Sequence, residues 1–85
     1  MRYVATIHVR TKPEVRDPQG EATRAALRSL GLDVADVRTG KEIVVTFDAP
    51  DDAEAREQVA RMARELLANP VIEGYAFELR QGVPA

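Results

Sequence analysis

Cysteine is absent from the chain, which excludes disulfide frameworks, thiolate zinc sites and a cysteine nucleophile. Histidine occurs once, as His8, and serine once, as Ser29. A zinc site with three protein ligands would therefore need two carboxylates beside His8. Ser29 falls inside a helical stretch with no base next to it, so it lacks the partner that activates a hydroxyl. Long apolar runs are missing as well: stretches such as Ile43–Val45 are far too short to span a bilayer. The amino end turns polar within a few residues, so no export signal is visible and the cytoplasm is the expected compartment. Nor is there an excess of positive charge. Lys and Arg total 12 against 14 Asp and Glu, a formal charge of −2, so neither nucleic acid nor a membrane is an expected partner.

What is there reads as one small soluble domain. Hydrophobic residues are 45% and charged residues 31% of 85, a balance that disordered chains do not have. We expect a single domain over residues 1–80 and a loose tail over 81–85. A domain of this size buries only roughly 60–65% of its unfolded surface. With no disulfide and no metal to staple it, association with further copies, as dimer or tetramer, is the remaining source of stability.

Tyr3, Ala5, Ile7 and Val9 alternate with Val4, Thr6, His8 and Arg10, a strand of period two. Asp17-Pro18-Gln19-Gly20-Glu21 starts a helix: Asp17 caps the free amides, Pro18 loses nothing at the first turn, and Glu21 suits the positive end of the dipole. Gly20 is costly so early in a helix unless another backbone approaches it closely. Ala22, Ala26, Leu27 and Leu30 follow at helical spacing, and Gly31 supplies a left-handed stop. Two strands, Leu32–Arg38 and Glu42–Asp48, are expected to form a hairpin around Thr39-Gly40-Lys41, with Gly40 left-handed, Arg38 opposite Glu42 and Val37 opposite Ile43. Asp51 caps a second helix with the stripe Ala55, Val59, Met62, Ala63, Leu66 and Leu67. Asn69 is expected to take a left-handed cap there, and Pro70 forbids continuation. Val71–Arg80 forms the last strand, with Tyr75, Phe77 and Leu79 on its core side.

The order β-α-β-β-α-β predicts a ferredoxin-like α+β fold, two helices on one face of a four-stranded antiparallel sheet. Its open face would carry Val4, Thr6, His8, Val44, Thr46 and Ala76. That surface is more apolar than solvent favours, so this face or a sheet edge is expected to meet another subunit. Chemistry is scarce. The acid pairs Asp51-Asp52 and Asp33/Asp36 sit where caps and loop ends call for acids. Thr39-Gly40-Lys41 is no phosphate loop, because it lacks a glycine run and leads into no helix. Asp17 occupies the one helix start that could hold an anion. The residues describe a non-catalytic interaction module, with no cofactor or metal of its own.

Three segments are more specific than their physics: Val15-Arg16-Asp17-Pro18-Gln19-Gly20, Asp36-Val37-Arg38-Thr39-Gly40-Lys41, and Leu66-Leu67-Ala68-Asn69-Pro70-Val71-Ile72-Glu73-Gly74-Tyr75. In this order and spacing the chain resembles the PurS family, the small subunit of phosphoribosylformylglycinamidine (FGAM) synthase. The resemblance implies a non-catalytic subunit of a ligase of purine biosynthesis. In such a complex a glutaminase subunit releases ammonia, a large synthetase subunit uses ATP and Mg to activate the amide oxygen of formylglycinamide ribonucleotide, and the PurS-like chain bridges the two and assists ammonia transfer. Asp17, Pro18, Gly20, Gly31, Gly40 and Asn69 are then structural, as caps and turns. Gln19, Arg38 and Lys41 stand at loop tips where a partner could reach them. A rival reading is a regulatory dimer of the ACT kind, which shares the element order and binds small molecules. An acylphosphatase-like enzyme fits less well, since Asn69, the only Asn, lies at a helix end.

Overall fold

One face of the first strand is wholly apolar, and the rest of the fold is arranged to cover it. The computed structural model describes residues 1–82. Strand β1 spans Arg2–Thr11, and its Tyr3, Ala5, Ile7 and Val9 are at most 2% exposed. It is the centre of a three-stranded antiparallel sheet of order β2-β1-β3, with β2 at Gly40–Asp48 and β3 at Glu73–Gln81. The register sets Ala5 between Val45 and Leu79, and Ile7 between Ile43 and Phe77. Apolar rows thus cross all three strands on the inner face. Helix α2, Asp52–Met62, lies over these rows and continues as a single π-helical turn, Ala63–Leu67. Val59, Ala63 and Ala68 close the core against the sheet. A second cluster joins Tyr3, Ala49 and Ala55, with the Tyr3 and Phe47 rings 6.0 Å apart.

Helix α1, Pro18–Ser29, begins as expected: Asp17 Oδ1 accepts from the Gly20 amide at 3.0 Å. It also ends as expected. Gly31 has φ +90°, and the Gly31 and Leu32 amides return to the Arg28 and Leu27 carbonyls. The α+β class, two helices and an antiparallel sheet, therefore stands.

Several finer expectations do not. The sheet has three strands, not four, because Leu32–Arg38 forms no strand and no hairpin surrounds Gly40. Side chains satisfy that segment instead. Arg24 and Arg28 donate to the carbonyls of Ala35 and Val34, and the Thr39 amide donates to Asp17. β2 pairs with β1, so Arg38 does not face Glu42; His8 does. Gly40 is not left-handed. A Cβ there would lie 2.5 Å from the Val9 carbonyl oxygen and 2.6 Å from Arg10 Cγ, so close packing on β1 explains the glycine.

Asn69 is not left-handed either. Its Oδ1 accepts from the Val71 amide at 3.0 Å, making an Asx turn. Leu66, expected in the buried stripe, is 83% exposed. The π turn, closed by the Ala68 amide on the Ala63 carbonyl, inserts a residue into the helical repeat, rotating Leu66 outward and Ala68 inward. Tyr75, expected in the core, is 38% exposed. Gln81, expected in the tail, continues β3 opposite Tyr3; the remainder of that tail, 83–85, lies outside the described residues.

The largest departure concerns α1. Its only buried residue is Gly20, while Ala22, Ala26 and Leu30 are exposed and Leu27 is half-buried. One face of the sheet is covered by α2 alone, and Ile43, Val45 and Phe47 of β2 stay half-exposed. The chain measures 50 × 31 × 14 Å, with a radius of gyration of 16.3 Å. A compact chain of this length would have about 12 Å.

Candidate functional site

The groups most able to meet a partner gather at one end of the sheet, where β1 finishes and β2 and β3 begin. This end is braced by two buried or half-buried side chains. Asp17, 7% exposed, accepts from the Gly20 amide, from the Thr39 amide at 2.7 Å and from the Thr39 hydroxyl at 3.0 Å. The Thr39 amide, then the Gly20 amide, hold its carboxyl below the usual range; desolvation opposes them, and the Arg38 charge contributes last. Arg38 donates to the carbonyls of Val15 and Pro13 at 2.7 and 2.8 Å, and to the Thr11 hydroxyl at 3.3 Å. Its planar fork thus ties the loop after β1 to the segment before β2. Arg38, expected at a loop tip, also braces this end of the sheet.

Around this brace lie three hollows that share Arg10 in their walls. The largest, about 580 Å³, is lined by His8, Arg10, Lys12, Arg38 and Tyr75 among others. A second holds His8, Arg10, Lys41 and Glu42, and a third holds Arg10, Gln19 and Lys41. Gln19, Arg38, Lys41 and His8, four of the residues singled out from the sequence, are therefore brought to one end. Val4, Thr6, Val44 and Thr46 are not. They form the cross-strand pairs Val4–Thr46 and Thr6–Val44 farther along the outer face, where Val44 is 58% exposed.

Arg10, common to all three hollows, was missed from sequence. It stands directly opposite Gly40 on β2 and Gly74 on β3. That row is visible only once the register is known, since the expected hairpin gave Gly40 another neighbour.

The Ser29 hydroxyl donates to the Ala25 carbonyl within its helix. His8 Nδ1 lies 3.9 Å from Glu42 Oε1, with its side chain 44% exposed. Among the described residues, no three His, Asp or Glu stand close enough together to hold a metal ion. Nor is any helix among them long and apolar enough to cross a membrane.

The pattern of caps, turns and strands extends beyond this chain. The family model for "PurS: Phosphoribosylformylglycinamidine (FGAM) synthase" matches residues 4–81. The chain belongs to the PurS family. The PurS subunit from Synechocystis is 47% identical over 78 residues, covering 91% of this chain and 78% of that protein. Thermus thermophilus PurS superposes with a TM-score of 0.86 at 42% identity, covering 99% of this chain and all of that one. A chain of the PurLQS structure from Thermotoga maritima superposes with a TM-score of 0.87 at 36% identity, covering 94% and 99%. This PurS-family chain is thus a subunit type of FGAM synthase, a component of a purine-biosynthetic ligase. A small-molecule regulator of the ACT kind finds no support in these matches.

Proposed function

We propose that this chain is the bridging subunit of a cytoplasmic FGAM synthase, holding a glutaminase and an ATP- and Mg-dependent synthetase in one geometry so that ammonia passes from one to the other. The observation that carries the proposal is the superposition on a chain of the PurLQS structure along nearly the whole length of both chains. The physical demand is containment. Ammonia released into neutral water is mostly protonated and loses its nucleophilicity, so the rate depends on two surfaces held close with little leakage. A braced sheet end meets that demand by raising effective concentration, with no reactive group required.

We further propose that the working form contains more than one copy. Leu30 and Leu32 are 75% and 52% exposed, and the inner face of β2 is only half covered. A second chain that covers the α1 stripe completes both. The Val44 face, less apolar and more regular, is left for the larger subunits.

Reconstitution tests the bridge. Synthetase and glutaminase without this chain are expected to use added ammonium salt, while glutamine-driven synthesis largely fails and returns when the chain is restored. Unchanged glutamine-driven synthesis in its absence overturns the reading.

A further inference from the structure

The end of the outer face carries a set of positive charges that form no ion pair among the described residues. Five arginines elsewhere are paired with acids, Arg2 with Asp48, Arg16 with Glu21, Arg28 with Asp33, Arg56 with Asp52 and Arg61 with Glu65. Arg24 instead donates to the Ala35 carbonyl, and Arg64 and Arg80 form no ion pair among the described residues. At the sheet end four cations, Arg10, Lys12, Arg38 and Lys41, stand together, and none forms an ion pair among the described residues. Arg38 spends its donors on neutral carbonyls and a hydroxyl, and Lys12 Nζ donates to the Pro70 carbonyl at 2.8 Å. Arg10 and Lys41 make no side-chain hydrogen bond or ion pair among the described residues. This happens in a chain with more acids than bases, so carboxylates were available. Of the acids near this end, Asp36, Glu42 and Glu73 do not close on these cations and Glu42 approaches His8, while the buried Asp17 carboxylate feels the Arg38 charge without forming an ion pair with it.

The floor of the same region is bare. Gly40, Arg10 and Gly74 lie directly opposite one another, so Arg10 has no side chain beside it on either neighbouring strand. His8, two residues along, faces only Ala76 on β3. Arg10 itself packs over Gly40, whereas a Cβ at Gly74 would meet nothing within 4 Å. The result is a shallow trough beside Arg10, open over Gly74 and Ala76 of β3, in which another backbone can approach the sheet. Lys12 and Arg38 are held at its rim by their bonds to backbone carbonyls, so little side-chain freedom is lost when they meet an anion.

We propose that this trough receives an acidic segment of one of the larger subunits, with at least two of its carboxylates meeting Arg10 and the rim cations Lys12 and Arg38. The proposal rests on the bridging reading and names the surface through which it works. A protein segment fits better than a small anion, because the trough is open along its length and its cations are spread around it. Charge pairs of this kind speed encounter and set orientation as well as adding affinity.

The test is binding of the folded chain to the synthetase and glutaminase subunits, by sedimentation and by surface-immobilised titration at several salt concentrations. Arg10→Glu is expected to weaken binding to one subunit about 10-fold or more and to flatten its salt dependence, while Arg10→Lys stays within about threefold. Gly74→Leu, which fills the trough without altering charge, is expected to weaken the same subunit. A Cβ at Gly74 meets nothing within 4 Å, so that variant should fold. If both Arg10→Glu and Gly74→Leu bind both subunits within twofold of the parent chain, the trough assignment is overturned and the bridge stands. If the parent chain binds neither subunit, the bridge itself falls and the trough with it. If inorganic phosphate alone binds the free chain at Arg10 more tightly than about 1 mM, the trough is a small-anion site and the protein-segment assignment is overturned.

Discussion

Asp17 and Thr39 are joined by the Thr39 amide at 2.7 Å and the Thr39 hydroxyl at 3.0 Å, although one caps a helix and the other precedes a strand. The carboxylate that starts α1 is thus also the latch that ends the connection into β2. Loss of this group should be felt at both places.

Asp17→Ala is expected to lower the melting temperature by about 5–10 °C, since it removes a helix cap and strands the Thr39 amide. The acid limb carries a second readout. The folded carboxyl titrates below its unfolded value, so the unfolded chain binds more protons there and stability rises with pH. The contribution is complete above the unfolded value of about 3.9 and is lost as pH falls through the lower folded value. Thermal melts of the parent chain from pH 7 to pH 2.5 should show this loss. In Asp17→Ala the acid limb should be shallower, and an equally steep limb would refute the latch.

Gly20→Ala should be more damaging than an early-helix alanine has any right to be. A Cβ at Gly20 would run into the Val37 carbonyl oxygen and lie 2.7 Å from Asp17 Oδ2. The backbone can give little, so we expect a loss of about 2–3 kcal/mol in urea unfolding. Gly74→Ala, with open space around its Cβ, should stay within about 0.5 kcal/mol. A stabilised Gly20→Ala would show that α1 does not sit against Val37.

The π turn predicts opposite outcomes for adjacent leucines. Leu67, half-buried against the core, should cost about 2 kcal/mol when changed to Ala. Leu66, 83% exposed, should change stability by less than about 0.5 kcal/mol. Equal losses in denaturant titrations would mean that the helix continues in the ordinary α repeat.

Leu30→Glu tests the covering of α1 by a second chain. The parent chain should sediment as an oligomer, and Leu30→Glu should shift toward the monomer mass at the same concentration. Leu66→Glu, more exposed still, serves as the matched control and should not. An unchanged mass for Leu30→Glu would place the self-contact elsewhere.

Much of this was legible from local chemistry. Asp17, Pro18 and Gly31 mark a helix from either end, and Tyr3, Ala5, Ile7 and Val9 announce a buried strand face. Legibility failed where a segment's partners were distant. Leu32–Arg38 has strand-like residues, yet its polar groups are met by Arg24, Arg28 and Asp17 rather than by a ladder. A glycine at position 40 fits a turn as well as close packing, and only the register with β1 decides between them. Leu66 was misplaced because a single π turn leaves no mark in an apolar repeat. The sheet-end cluster was half legible: Gln19, Arg38 and Lys41 are polar groups in loops, whereas Arg10 looks like any outward strand residue until glycines are found on both sides of it.

The strand order β2-β1-β3 has a consequence for how the protein comes into being. The central strand is synthesised before both of its neighbours, and Tyr3 finds its last partner only at Gln81. Such distant pairings close large loops before they gain any contact, which slows folding. During translation β1 must therefore wait, with Ile7 and Val9 uncovered, until β3 has emerged from the ribosome. That interval is when the nascent chain is most exposed to chaperones and to aggregation.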